Sequence, residues 1–250
     1  MTWILFKKEL KYLFSTPHAY LISAVFIFAM GALFVLSLFS FVNASQLPEA
    51  LGVKVDAMEG LIRPIWGNMN FIFLLLASAV TMRSFAEEKK DQTLDLLLSA
   101  PISLTQIVVA KWLAFVTLAL FMVSLTLVFP IIATFAGADD YSAMVVGYLG
   151  VILNVSAYLA LGVFASTLTE NQIIAAAYSL VMILFFWLVF QVTYFLPNPL
   201  LKDMLGWVSF QTHFYSFLRG VIDTKDLAFY FSFIFFALFL SQKSLDARNW

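Results

Sequence analysis

The sequence contains no cysteine, so disulfides, thiolate metal sites and cysteine nucleophiles are excluded together. Histidine is almost as scarce. His18 and His213 are the only two, far apart in the chain and without metal-ligand spacing. None of the ten glycines is followed by lysine, so no Walker loop exists and the chain carries no P-loop ATPase of its own. Charged residues make up only 12% of the chain and nearly cancel, leaving a net charge of −1. With no basic excess to offset phosphates, a nucleic-acid partner is disfavoured. What fills the chain instead is apolar: 62% of its 250 residues are hydrophobic, 28 of them phenylalanine, and the mean hydropathy is +0.94. A soluble domain is about 45–50% apolar and about 25% charged. The composition is that of an all-α, polytopic membrane protein.

The first fourteen residues do not read as a cleavable leader, because their cations sit inside an amphipathic pattern and the apolar run that follows is too long. Trp3, Phe6, Leu10, Leu13 and Phe14 recur at helical spacing, with Lys7, Lys8, Glu9 and Lys11 on the other side. That pattern predicts an interfacial helix whose basic residues meet lipid headgroups. Ser15-Thr16-Pro17 breaks it and starts the next helix. Six apolar stretches are long enough to span, near 19–42, 64–82, 104–135, 141–168, 171–196 and 227–241. The third exceeds one span, and Pro130 is expected to kink it near its far end. Only Thr169-Glu170 separates the fourth from the fifth, which predicts a tight helical hairpin.

Orientation follows from the cations. With the N-terminus inside, Lys7, Lys8, Lys11, Arg83, Lys89, Lys90, Lys111, Lys243 and Arg248 fall on the cytoplasmic side, against Lys54, Arg63, Lys202, Arg219 and Lys225. Basic residues concentrate inside, so the expected topology is N-in and C-in.

An active site is not evident. Asp139-Asp140 reads as a solvated turn, and Glu170 as a surface carboxylate complementing the N-terminus of the fifth span. His18 and His213 read as interfacial. Asn154, Ser156, Gln191 and Thr193 are the most polar residues within spans and are expected to hydrogen-bond between helices. Gly147, Gly150 and Gly162 are expected to allow close helix contact. The spans show no midplane carboxylate, which disfavours an ion-coupled carrier.

Two loops carry pattern. Between spans two and three, Glu87 and Glu88 open a helical segment that Pro101 closes, with Leu94, Leu97 and Leu98 on one face beside Asp91 and Asp95. This fits either a docking helix for a soluble partner or a helix lying on lipid. The loop 197–226 is too apolar for a free tether. Leu200, Met204 and Trp207, then Phe210, Phe214 and Phe217, repeat at helical spacing around a break near Ser209. Two short helices folded against the membrane are expected.

The run FAEEKKDQTLDLLLSAPISLTQIVVAKWLA resembles the signature loop of type-2 ABC exporter permeases. FKKELKYLFSTPHAYLI is similar to the interfacial helix of that family and its Ser-x-Pro step into the first span, and ASTLTENQIIAA to its hairpin between spans four and five. The C-terminal segment from His213 onward resembles the gliding-motility-associated permeases of the GldF type. The resemblance implies a permease subunit of the bacterial inner membrane that pairs with a second permease, as homodimer or heterodimer. A separate ABC ATPase subunit would drive it, with ATP and Mg on that partner and no cofactor in this chain. It further implies that Glu87, Glu88, Lys89, Asp91, Thr93 and Leu94 form the cytoplasmic coupling helix that meets the ATPase, and that Lys7, Lys8 and Lys11 lie on the interfacial helix beside it. The loop 197–226, with Trp207, His213 and Arg219, matches the short re-entrant outer helices of the family. The rival expectation is a membrane scaffold or mechanotransmitter that relays ATPase-driven motion to a periplasmic partner without moving a substrate.

Overall fold

The computed structural model describes residues 2–45, 56–94, 102–193 and 195–247. Among them the chain is helical, with no strand. Helix α1 (Thr2–Ser15) leads into α2 (Pro17–Ser45). A π-helical turn, Met58–Ile62, opens into α3 (Arg63–Thr81), and the short α4 (Ala86–Lys90) follows. The third span is α5 (Leu104–Leu125) with α6 (Val128–Phe135). Helices α7 (Tyr141–Thr167) and α8 (Gln172–Thr193) form the expected hairpin. Two short helices, α9 (Pro199–Val208) and α10 (Phe210–Leu218), precede the last long one, α11 (Thr224–Asp246). Six helical segments are long and apolar enough to cross a membrane. Both described chain ends lie at one end of the bundle, called here the base; the other end is the apex.

The third span breaks where proline chemistry requires. Pro130 has no N–H for the Thr126 carbonyl, and its ring crowds that carbonyl. The helix stops at Leu125 and resumes at Val128. The freed Thr126 oxygen accepts from the Phe129 amide at 3.0 Å and the Tyr148 hydroxyl at 3.1 Å. At the α7–α8 turn the helix start is capped by Asn171, whose side chain accepts from the Ile173 amide at 2.9 Å. Asp140 plays the same part for α7, accepting from the Ala143 amide. That bond and the Ser142 hydroxyl hold the Asp140 carboxyl below the usual carboxylate range.

Helix α7 is the centre of the bundle. Its glycines seat neighbours at close range: the Trp66 ring of α3 on Gly147, Phe217 of α10 on Gly150, and Thr81 of α3 on Gly162. Between the two α3 seats the Asn154 side-chain amide donates to Asn70, and at 3.0 Å to the Tyr158 hydroxyl. The interhelical role expected of Asn154 is therefore present, with Asn70 as a partner the sequence reading missed. Ser156 and Thr193 instead bond to carbonyls of their own helices.

Two expectations need correction, and a third is narrowed. Part of the apolar side of α1 is covered by protein, while Trp3 stays exposed. Leu5 is buried, Phe6, Leu13 and Phe14 pack against the core, and Phe14 meets Phe121 of α5 edge-on at 5.6 Å. Amphipathic spacing cannot tell lipid from a protein neighbour, and here α5 is the neighbour. The last helix runs well past 227–241, because Asp223 caps it early and polar residues continue it after the apolar window closes. The coupling segment is not one helix: α4 ends at Lys90, and Gln92 has φ of 56°, the left-handed conformation that stops a helix. Leu97, Leu98, Asp95 and Pro101 lie outside the described residues.

The 197–226 loop does form two short helices that break at Ser209, as expected. Asn198 caps α9, and the Ser209 hydroxyl accepts from the Gln211 amide to cap α10. Helix α10 does not lie flat on the bundle. Its Phe210 meets Tyr158 of α7, its Phe217 sits on Gly150, and Gly220 beyond it abuts Ala143. It thus climbs antiparallel to α7, about 10 Å from Phe210 to Phe217, so α9 and α10 form a hairpin that enters the bundle from the apex.

Candidate functional site

The base gathers the residues that the loop pattern singled out. Lys111 lies about two turns inside α5. Its side chain is buried, with Nζ 2.8 Å from Glu88 and 3.4 Å from Glu9 of α1. The ammonium also lies over the Phe85 ring at 5.2 Å. One cation therefore ties α1, the segment after α3, and α5. The sequence reading counted Lys111 among loop charges. The signal that could have found it was a lysine inside an apolar run, which is costly without partners.

A second tie involves the C-terminus of α7. The last carbonyls of a helix lack intrahelical donors and carry the negative end of its dipole. The Thr167 carbonyl accepts from the ammonium of buried Lys89 and, at 3.3 Å, from the Ser244 hydroxyl of α11. Thr105 of α5 and Gln242 of α11 bond at 2.9 Å nearby.

The expected partner-binding residues are thus divided. Lys89 and Leu94 are buried, and Glu88 faces Lys111. Asp91 and Thr93 are exposed, with Glu87 half-buried. Lys7, Lys8 and Lys11 of α1 all point outward. Between α1, α2 and α5 a cleft of about 370 Å³ opens to the base. Glu9, Glu87, Glu88, Arg83 and Lys111 line it with charge, and Phe115 and Leu118 are among its apolar walls. Thr16, His18 and Ser84 line it as well. The exposed Asp91–Thr93 turn is linked through Lys89 to the C-terminus of α7 and through Glu88 to Lys111 of α5.

Within the outer hairpin the structure departs from the reading of His213 as interfacial. Its imidazole is buried, with Nδ1 2.7 Å from Asp226 and Nε2 3.1 Å from the Trp207 carbonyl. The hydropathy pattern misses this pair because the partners lie on different helices. His18 stays exposed beside Pro17.

The sequence model of a family described as ABC-2 family transporter protein matches residues 3–241. No curated protein matches the chain.

Proposed function

The chain belongs to the ABC-2 family of transporter proteins, and on that premise we propose that its base is the cytoplasmic surface on which a separate ATPase subunit drives a bacterial inner-membrane permease. Both termini are then cytoplasmic, and the apex faces outward. Asp91 and Thr93, with half-buried Glu87, form the contact. Glu88, Lys89 and Leu94 hold that contact to the spans, while Lys7, Lys8 and Lys11 meet anionic headgroups. A second permease subunit completes the transporter, and ATP and Mg stay on the ATPase. ATP-driven closure of the ATPases pushes on residues 83–94, and the spans tilt between inward-open and outward-open states. A gliding-motility apparatus is the assembly that the C-terminal resemblance suggests. The observation that carries the reading is the tie from Lys111 to Glu88 and Glu9, which connects the contact segment to a span.

The test leaves that tie untouched. Glu87→Lys and Asp91→Lys together reverse charge on the proposed contact alone. The chain purified by itself should hydrolyse no ATP. Co-expressed with its ATPase, it should stimulate turnover, and the double variant should lose co-purification and stimulation while keeping its own melting temperature. An unchanged complex with unchanged turnover would remove the contact.

Topology has its own measurement. Because the native chain lacks cysteine, single cysteines report without background. Asp140→Cys and Lys202→Cys should react with an impermeant thiol reagent outside intact cells. Lys90→Cys and Glu170→Cys should react only after the membrane is opened. Labelling from the wrong face would overturn the orientation.

A further inference from the structure

The cleft beside Lys111 is built in two layers. On α5, Phe115 and Leu118 lie four and seven residues beyond Lys111, about 6 and 10 Å further from the base. Ile22 of α2 and Val80 of α3 join them on the apolar side. The charged lining lies on the base side: Lys8 and Glu9 on α1, and Arg83, Glu87, Glu88 and Asp91 on the segment that follows α3. At about 370 Å³ the cleft is in the size range of small-molecule sites.

Its charges are mixed rather than of one sign. Counting Lys111, three cations and four carboxylates line it, a balance of −1 with His18 neutral. Lys111 is matched by Glu9 and Glu88. Lys8, Arg83, Glu87 and Asp91 form no ion pair among the described residues.

Two polar atoms of the lining residues are also unsatisfied. Ser84 is 4% exposed, and its Oγ is buried with no hydrogen-bond partner among the described residues; the same holds for Glu88 Oε2. A carboxylate only accepts, so Oε2 calls for a donor, whereas a serine hydroxyl can itself donate. Leaving such groups unpaired is costly, and both residues border a space large enough for a ligand that pairs them.

We propose that the cleft binds one phospholipid with a primary-ammonium headgroup, of the phosphatidylethanolamine class. The ammonium donates to Glu88 Oε2, with Glu87 and Asp91 nearby. Arg83, Lys8 and the Ser84 hydroxyl take the phosphate, and the first methylenes of the acyl chains run along Ile22, Val80, Phe115 and Leu118. Three observations select this chemistry. Unpaired lining charges of both signs fit a zwitterion, and the balance of −1 disfavours an anionic lipid. The orphaned Oε2 needs an N–H, which a trimethylammonium head lacks. The apolar layer favours a lipid over the same headgroup free in solution. The site needs only that the long helices span a bilayer, so it goes beyond the coupling reading and does not depend on it.

The test uses the delipidated chain in detergent, titrated with phosphatidylethanolamine, phosphatidylcholine or phosphatidylglycerol of identical acyl chains. Binding is followed by native mass spectrometry and by the shift in melting temperature. Phosphatidylethanolamine should bind at one per chain, about tenfold tighter than either other lipid, the effect of one hydrogen bond to a charged group. Glycerophosphoethanolamine, the same head without chains, should bind far more weakly. Ala79 is exposed and lines the cleft, so Ala79→Phe fills it without touching a charge and should abolish the preference. Arg83→Gln changes an exposed side chain and gives a second, independent variant. It should weaken all three lipids by a similar factor while the preference for the ammonium head persists. Equal affinity for phosphatidylethanolamine and phosphatidylcholine would overturn the proposal, as expected if only water satisfies Oε2. Phosphatidylethanolamine binding unchanged in either variant would overturn it too, because the lipid would then sit elsewhere. A headgroup that binds as well without its chains would equally overturn it. None of these measurements needs the ATPase, so their failure is distinct from failure of the coupling reading.

Discussion

Lys111→Met should destabilise the protein by roughly 3 kcal/mol and release α1 from α5. Methionine keeps the volume but leaves Glu9 and Glu88 facing each other without a cation. Loss of one partner from a buried ion pair costs about 3–5 kcal/mol, mostly because the remaining charge is stranded. The lower end applies because the two carboxylate side chains keep 16% and 22% exposure, so water screens part of the repulsion. Adding Glu9→Gln and Glu88→Gln removes the stranded charges and should recover most of the stability. Equilibrium unfolding of the single and triple variants in detergent checks this, with limited proteolysis after α1 as a local readout. If Lys111→Met unfolds within about 0.5 kcal/mol of wild type, a range ordinary for surface changes, the tie is unimportant to stability. The triple variant also separates two properties. It should stand nearly as firm as wild type yet respond poorly to the ATPase, since charge-assisted bonds transmit displacement in a way that three neutral side chains do not.

Gly147→Ala should be nearly as damaging. A methyl group there would overlap the six-membered ring of Trp66, which is fully buried and packs edge-on against Tyr148 at 6.2 Å. Overpacking a filled site costs about 1–3 kcal/mol and sometimes more, and this ring has nowhere to turn. Trp66→Leu should rescue Gly147→Ala in part, giving a negative coupling energy in a double-mutant cycle. Gly31→Ala and Gly67→Ala are the controls. Nothing lies within 4 Å of a Cβ at either position, and relief of glycine's backbone freedom favours alanine by about 0.5–1 kcal/mol in a helix. Thermal unfolding should order the variants with Gly147→Ala lowest and the controls at or above wild type. Equal melting temperatures for all three would remove the close-packing argument.

The six long helices were legible because apolar runs of that length have one stable form in lipid. The α9–α10 pair was legible as helix, since Leu200, Met204, Trp207, Phe210, Phe214 and Phe217 recur at helical spacing, but that spacing also fits one long helix; the break at Ser209 comes from its hydroxyl capping the Gln211 amide. What stayed hidden depends on contacts distant in sequence. The loop pattern predicted a continuous helix after Glu87, but the chain turns at Gln92 while Lys89 reaches a carbonyl 78 positions away. Asn70 looked like one polar residue in an apolar run until Asn154, 84 positions on, met it. Lys111 was legible in principle and was misfiled, because counting charges by loop overlooked that its own span begins at Leu104. The amphipathic face of α1 was read correctly as a face, but nothing local says what covers it.

Helices α3 and α7 meet at three depths: Trp66 on Gly147, Asn70 on Asn154, and Thr81 on Gly162. The outer two contacts are knobs in sockets with no clearance, and the middle one is directional. Sliding one helix past the other would lift both knobs at once and strand the amides in a dry interior, so the two are keyed like a shaft and its hub. A motion that parts these two helices has to break all three contacts together.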